Sequence, residues 1–270
     1  AGTPLGEYCK GRFYYGIKTG LNDAFVVDRA TRDRLIAEHP SSAEVLKPFL
    51  RGRDVKRWRV EPKDLWLVYI PWHFPLDLDL SIQGHSKRAE TQFEKNYPAI
   101  YNHLLGFKKE LSARNVAETG IRYEWYALQR WGANYWQEFE QPKLVYPDIA
   151  FDCNFASDIN GIYPDCTLFL IPEAPIHFLP ILNSNAIRYF ISKICPSIRG
   201  GFRRFKSIYV SQIPIPVATT ADQAELETLV QRILENPNAA SVAVQEAEIN
   251  ERVYRLFGLT REEIALVEAN

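Results

Sequence analysis

The stretch IRGGFRRFKSIYVSQIPIP, residues 198–216, is where this chain changes character. Its first half carries Arg199, Arg203, Arg204 and Lys206 with no acid among them, alternating with Phe202 and Phe205. Its second half, residues 207–213, reads as a strand and ends at Pro214 and Pro216. Proline fixes φ and offers no amide donor, so this pair marks the clearest boundary in the chain. Beyond it, glycine and aromatics thin out. Leu226, Leu229 and Ile233, then Val242, Ile249, Val253 and Leu256, recur at three- and four-residue steps, which predicts two amphipathic helices in need of a covering surface. Thr260 with Glu263 forms a capping box for a last short helix.

Upstream, short aromatic and aliphatic runs alternate with turn residues. Residues 13–15 and 25–27 flank a Gly/Asn/Asp region and predict two strands joined by a loop. Residues 31–37 predict a helix capped by Thr31, Pro40 to Ser42 opens another that ends near Pro48, and LWLVYI at 65–70 predicts a strand. Over residues 87–113, Phe93, Tyr97, Ile100, Tyr101, Leu104 and Leu105 share one helical face, with a break or kink at Pro98. Between Arg122 and Ile171, Gly132, Pro142, Pro147, Gly161 and Pro164 punctuate what reads as meandering antiparallel sheet, and residues 179–194 read as an amphipathic helix. The expected fold is α+β: a β-rich mixed domain over 1–216 followed by a helical arm over 217–270.

With 270 residues, 46% hydrophobic and 13% aromatic, the chain can bury a substantial core. No run approaches the roughly eighteen apolar residues of a membrane helix, and the start lacks the layout of a signal peptide, so a cytoplasmic protein is expected. Cys9, Cys153, Cys166 and Cys195 form no C-x-x-C pair, and His39, His73, His85, His103 and His177 are scattered. Buried free thiols are expected, and zinc is not. Methionine is absent even at position 1, from which a fragment of a longer protein is expected. The net charge of −1 is unevenly spread: residues 217–270 hold ten acids and four bases, which leaves residues 1–216 at +5.

The common catalytic signatures are missing: no G-x-G-x-x-G after a strand, no G-x-x-x-x-G-K, no H-E-x-x-H and no G-x-S-x-G. Nor are two prolines adjacent anywhere, as the Asn-Pro-Pro-aromatic loop of an amino-methyltransferase requires. Asp54 followed by Glu61-Pro62-Lys63 comes nearest to the acidic pair plus lysine that holds Mg²⁺ beside an attacking water. It supplies an alternative reading, a Mg²⁺-dependent nuclease, although Pro62 is awkward in the strand that would present Glu61 and Lys63 together. His85 and His103 have no orienting carboxylate nearby in sequence.

Three segments concentrate donors suited to phosphates and base edges. In GIKTGLNDAF, residues 16–25, two glycines permit close backbone approach while Lys18, Thr19 and Asn22 offer donors, although an ordinary hairpin would look the same. LKPFLRGRDVKRW, residues 46–58, carries Lys47, Arg51, Arg53, Lys56 and Arg57, a cluster able to neutralise several phosphates or, more simply, a solvated turn. In 198–206, arginine forks and glycine amides are suited to phosphate oxygens and guanine edges, and both phenylalanines could simply be core. Arg122, Tyr126, Gln129, Arg130 and Trp131 form a weaker fourth group.

These segments, with WYALQR at 125–130, PKLVYPDI at 142–149 and ILNS at 181–184, resemble the TaqI-like C-terminal specificity domain of type IIG restriction-modification enzymes and related adenine-specific DNA methyltransferases. The tail, with VYRLFGLTREEI at 253–264, resembles the helical spacer of type I specificity subunits. The resemblance implies a bacterial-defence protein in which this domain reads double-stranded DNA. An upstream methyltransferase domain would bind S-adenosylmethionine and flip an adenine. Some relatives also carry a nuclease domain, which would use Mg²⁺. No cofactor and no catalytic residue is expected within these residues. Lys18, Thr19, Asn22, Arg51, Arg53, Lys56, Arg57, Arg199, Arg203, Arg204 and Lys206 would position the DNA backbone, Gln129 and Arg130 would read bases, and the 222–257 helices would dock on the methyltransferase domain or a partner subunit. A protein-interaction module working through those helices is a further alternative.

Overall fold

The structure, a computed structural model, describes residues 2–77, 79–114 and 123–269. The expected α+β architecture is present. Among the described residues, a four-stranded sheet runs Tyr163–Pro164, Leu46–Leu50, Leu65–Val68, Val26–Asp28, and a five-stranded sheet runs Tyr14–Tyr15, Leu168–Pro172, Lys143–Pro147, Ala156–Asp158, Trp58–Arg59. Each sheet has one parallel pair at an edge, Tyr163–Pro164 with Leu46–Leu50 and Trp58–Arg59 with Ala156–Asp158; the other pairs are antiparallel. Two short ribbons complete the body: Thr3–Pro4 pairs with Pro214–Ile215, and Ile149–Ala150 pairs with Arg203–Arg204.

The five-stranded sheet is a wall between two cores. Successive side chains of a strand point to opposite faces. Accordingly Val145, Leu168 and Leu170 enter a core shared with the four-stranded sheet and the helices Lys87–Asn96 and Pro98–Leu105, whereas Leu144, Tyr146, Phe169 and Ile171 enter a second core with the helices Phe178–Leu182 and Asn185–Ile194. All five residues of Lys143–Pro147 and of Leu168–Pro172 are buried, as befits strands covered on both faces.

One of those residues is a lysine. Lys143 Nζ lies 2.6 Å from Asp158 Oδ2, with both side chains inaccessible, and donates to the Phe139 carbonyl at 2.6 Å. Asp158 also accepts the amides of Asn160 and Ile162, each at 2.9 Å. Burial pulls the Lys143 amine below its usual range, and Asp158 pulls the other way. The pair locks the 158–162 turn to the strand at its back.

The arm is integral to the second core. Leu226, Leu229, Val230 and Ile233 on Thr220–Glu235, and Ile249 and Val253 on Val242–Phe257, are buried with Phe178, Leu182 and Ile187 of the body. The apolar stripes of the arm, expected to await a partner, are therefore covered by the chain itself. The hydrophobic core thus runs through the proline boundary at 214–216 and joins body and arm.

Several elements differ from the sequence reading for identifiable reasons. The two strands expected over residues 13–27 are present as Tyr14–Tyr15 and Val26–Asp28, but they belong to different sheets and their connection contains the helical turn Asn22–Phe25. Asp28, not Thr31, caps Arg29–Glu38, accepting the Thr31 amide at 2.8 Å. The helix opening at Ser42 stops at Val45, and Pro48 sits inside the strand Leu46–Leu50. Residues 87–105 break at Tyr97 with Pro98 opening the next helix, as expected, but Leu105 is exposed. The 179–194 helix is two helices, divided where Ser184 caps the second by accepting the Ile187 amide. The strand expected over 207–213 is largely the helical turn Ser207–Val210. Three cysteines are buried as expected; Cys166 is exposed.

Replacing Lys143 by methionine strands the Asp158 carboxylate, and loss of one partner of a buried pair typically costs about 3–5 kcal/mol. Urea denaturation should show a loss of that order for Lys143→Met and a smaller one for Lys143→Met with Asp158→Asn.

Candidate nucleic-acid interface

The cationic segments meet at one turn, Asp165 to Thr167, because distant stretches of chain share its backbone. The Ile17 amide donates to Pro164 (2.8 Å), the Gly16 amide to Leu168 (3.0 Å), and the Asp165 amide to Leu50 (2.8 Å). From the second segment, the Gly52 amide donates to Thr167 Oγ1 at 3.0 Å. From the other side, the Asp148 amide donates to the Thr167 carbonyl at 2.8 Å. Asp148 then holds the third segment: its carbonyl accepts the Phe205 amide (2.7 Å) and its carboxylate accepts Arg204 Nη1 (2.6 Å). Lys18 and Arg130 exchange both backbone hydrogen bonds, at 3.0 and 2.9 Å, which brings in the fourth group.

This convergence requires glycine at two places. A Cβ on Gly16 would stand 1.9 Å from the Asp165 carbonyl oxygen, and one on Gly52 would stand 2.5 Å from Thr167 Oγ1. Burial raises the Asp165 carboxyl from its usual range, opposed by hydrogen bonds from Thr167 and by the nearby Arg51 charge. Although Cys166 is exposed as a residue, packing around its sulfur and the Asp165 carboxylate raise its thiol, against the downward pull of Arg130 and Lys18. The turn thus lies close to the charges of Lys18, Arg130 and Arg51.

Around this hub, Arg53, Lys56, Arg130, Arg199 and Lys206 are exposed, and Lys18, Arg51, Arg203 and Arg204 are half-exposed. Arg51 is anchored through Nε to Asp54 (3.1 Å), Lys56 Nζ reaches back to the Arg53 carbonyl (2.8 Å), and Arg203 Nη1 donates to the Cys195 carbonyl (3.3 Å). Three candidates stand apart. Arg57 faces the arm, donating to the Asn183 carbonyl (2.6 Å) and pairing with Glu246 at 3.2 Å. Thr19 is buried, with its hydroxyl donating to Asn22 Oδ1 at 2.6 Å, so it shapes the loop and leaves Asn22 as the exposed partner. Gln129 is 3% exposed and packs under Gly20, whose φ is +80°. Arg122 lies outside the described residues.

Some determinants escaped sequence reading. Arg114 is buried beneath the 18–22 loop and donates to the carbonyls of Thr19 (2.8 Å) and Trp125 (2.7 Å), its pKa lowered to about 10 by burial. Asp148 and Asp165 carried a signal: the tripeptide Tyr-Pro-Asp occurs twice, at 146–148 and 163–165. Each time the aspartate ends a buried strand and ties down its neighbours. His85 does have an orienting carboxylate, remote in sequence: Glu124, buried, receives His85 Nδ1 (3.3 Å), His73 Nδ1 (3.2 Å) and the Ser86 amide (2.6 Å). The three bonds tie His73, His85 and Ser86 to Glu124.

Of the alternative nuclease set, Asp54 and Glu61 are neighbours, the Glu61 amide donating to the Asp54 carbonyl at 2.7 Å. Their carboxylates are engaged by arginines, Asp54 by Arg51 and Glu61 by Arg59 Nη2 at 2.5 Å, and Lys63 is exposed. Among the described residues, no three His, Cys, Asp or Glu side chains gather as metal ligands, and no helix is long and apolar enough to cross a membrane.

Residues 47–215 match the TaqI-like C-terminal specificity domain, and this stretch includes the hub and the second, third and fourth cationic groups. The chain belongs to that family. The specificity domain is similar to the type II methyltransferase M.XhoI of Xanthomonas vasicola, 27% identical over 198 residues, which are 69% of this chain and 34% of that protein. It is also similar to the type II methyltransferase M.BstVI of Geobacillus stearothermophilus, 24% identical over 266 residues, 96% of this chain and 41% of that protein. The chain therefore spans only about a third to two-fifths of the length of these relatives. In fold it is similar to the type IIL restriction-modification enzyme MmeI, whose structure was solved in complex with DNA: TM-score 0.63, 13% identity, 94% of this chain and 34% of that one.

Gly16→Ala should destabilise the domain by about 1–3 kcal/mol, the usual cost of forcing atoms into a packed site. Urea denaturation checks this. An unchanged midpoint would mean that the 16–17 segment does not pack on the Asp165 turn.

Proposed function

We propose that this chain is the sequence-reading part of a restriction-modification protein, gripping double-stranded DNA while catalysis resides elsewhere in the parent protein. The observation that carries this reading is the convergence of four cationic segments on the 165–167 turn. Duplex DNA presents a phosphate every few ångströms along each strand, and a surface that neutralises several at once gains affinity by releasing condensed counterions. The family membership and the methyltransferase relatives support the same role.

Within this reading the residues divide by exposure and anchorage. Arg53, Lys56, Arg199 and Lys206 contact phosphates, because exposed cations on turns can follow the backbone without a fixed geometry. Arg51, Arg203 and Arg204 are pre-oriented by their own hydrogen bonds and present forks of defined direction. Arg130 is the better candidate for a guanine edge, since it is exposed where Gln129 is buried. Thr19 and Gln129 shape the loop that presents Lys18 and Asn22, and Arg57 joins body to arm. S-adenosylmethionine, and Mg²⁺ where the parent protein cleaves, belong to the parent's other domains. Docking on those domains falls to the outer faces of the arm, where Val244 is exposed, because the inner faces are occupied.

Anisotropy titration of a labelled duplex of about twenty base pairs, an ample length for one domain, should show affinity falling steeply with salt. Arg53→Ala, Arg130→Ala or Lys206→Ala should each reduce the log–log slope by about 1. Arg57→Ala should leave the slope unchanged and lower the melting temperature. Absence of salt-sensitive binding would overturn the reading. Plasmid cleavage that needs Mg²⁺ and is abolished by Glu61→Ala would replace it with the nuclease.

A further inference from the structure

Phe202 and Phe151 are the anomaly of the third cationic segment. Phe205 is buried in the second core, as an aromatic alternating with arginines usually is, yet Phe202 is 43% exposed and Phe151 is 68% exposed. Their rings meet edge to face, centroids 6.1 Å apart at 82°, so each shields part of the other while both outer faces remain in water. Exposed apolar surface of this kind, rimmed by polar groups, commonly marks a contact site.

The pair is held out by a rigid mount. Phe151 follows Ile149–Ala150 and Phe202 precedes Arg203–Arg204, and these two strands pair in register, Arg203 opposite Ala150. Behind Phe202 the Ile198 amide donates to its carbonyl at 2.8 Å, and the Arg204 amide donates to Pro196 at 3.2 Å. Gly200 and Gly201, with φ of +82° and +79°, make the turn, and a Cβ on Gly201 would come within 3.1 Å of the Phe151 ring. The glycines thus leave room for the phenyl rings and allow a backbone that other residues rarely adopt. The ribbon is bolted to the hub through Asp148, which binds the Phe205 amide and the Arg204 guanidinium.

Charge selects the occupant. Residues 198–206 contain Arg199, Arg203, Arg204 and Lys206 and no acid, and the acids on the Phe151 side are each paired, Asp148 with Arg204 at 2.6 Å and Asp152 with Arg188 at 3.7 Å, so the apolar pair stands beside a cationic segment. An anionic polymer with an apolar interior satisfies both features: its phosphates meet the cations while its stacked bases meet the rings. Phenylalanines borne on positively charged elements can insert between base steps and unstack them.

We infer that Phe151 and Phe202 form an apolar wedge that enters the duplex at a base step, so that this ribbon recognises how readily the DNA deforms and not only its base edges. The inference rests on the DNA-binding reading above. It gives the 198–206 segment a role separable from phosphate contact.

The test compares a fully paired duplex with the same duplex carrying a two-nucleotide bulge, in which unstacking has been prepaid. The 270-residue chain should prefer the bulged duplex by about tenfold, the scale set by an unstacking cost of a few kcal/mol only partly recovered. Phe151→Ser with Phe202→Ser should abolish that preference while leaving the affinity for the paired duplex within a few-fold and its salt slope unchanged; Phe151→Leu with Phe202→Leu, apolar and of similar size, should retain most of the preference. Wild-type binding without a preference, or a preference that survives the serine pair, would overturn the wedge and leave the DNA-binding reading standing. No binding to either duplex would overturn that reading itself. If the serine pair alters only self-association, measured by sedimentation, the rings face protein and the wedge is refuted.

Discussion

Everything in this fold that concerns a ligand depends on the backbone of residues 164–168. A buried amide or carbonyl without a partner is costly, so each of these groups must be matched. Here the partners come from three remote stretches, the 16–17 segment, Leu50 and Gly52, and Asp148, and from the turn itself, where the Asp165 side chain accepts the Thr167 amide at 2.8 Å. The constraint is mutual. Gly16 and Gly52 leave no room for a side chain against this turn, and Asp148 extends it to the ribbon that carries Arg203 and Arg204. Cations scattered over nearly two hundred residues of sequence are thereby brought to one place.

The second feature is the five-stranded sheet with a core on each face. One face serves the four-stranded sheet and the 87–105 helices; the other serves the paired helices 178–194 and the arm. The Lys143–Asp158 pair sits within this wall, and its value is positional: it holds a turn against a strand that could not otherwise admit a charge. Because the arm's apolar residues belong to the second core, the arm and the body that carries the cationic turn are joined through one core. Trp58 Nε1 and Arg57, at the end of the cationic 51–57 turn, both bind Glu246 of the arm. A partner docked on the outer face of the arm would therefore sit on an extension of the body that carries the cationic segments.

The fold class, the helical tail with its Thr260 capping box and the break at Pro98 were legible from periodicity and capping residues. Sheet membership was not. Residues 13–27 have the local pattern of a hairpin, but Tyr14–Tyr15 pairs with Phe169 and Leu170 and Val26–Asp28 pairs with the 65–67 stretch, and such non-local choices leave no short-range trace. The arm's stripes were visible while their cover was not, for the same reason. Of the candidate contacts, exposure sorted what composition could not: Gln129 and Thr19 carry the right chemistry but face inward, and Arg57 faces the arm. Arg114 could not be found at all from sequence, because a single arginine in ELSARN looks like any solvated one.

The account stands or falls on whether the segments gathered at the Asp165 turn act as one surface toward DNA. Hydrogen–deuterium exchange of the chain with and without excess duplex addresses this directly. The account requires slowed exchange together at residues 51–56, 130 and 198–206, with the outer face of the arm unchanged. Protection confined to the arm, or to only one of those segments, would contradict it.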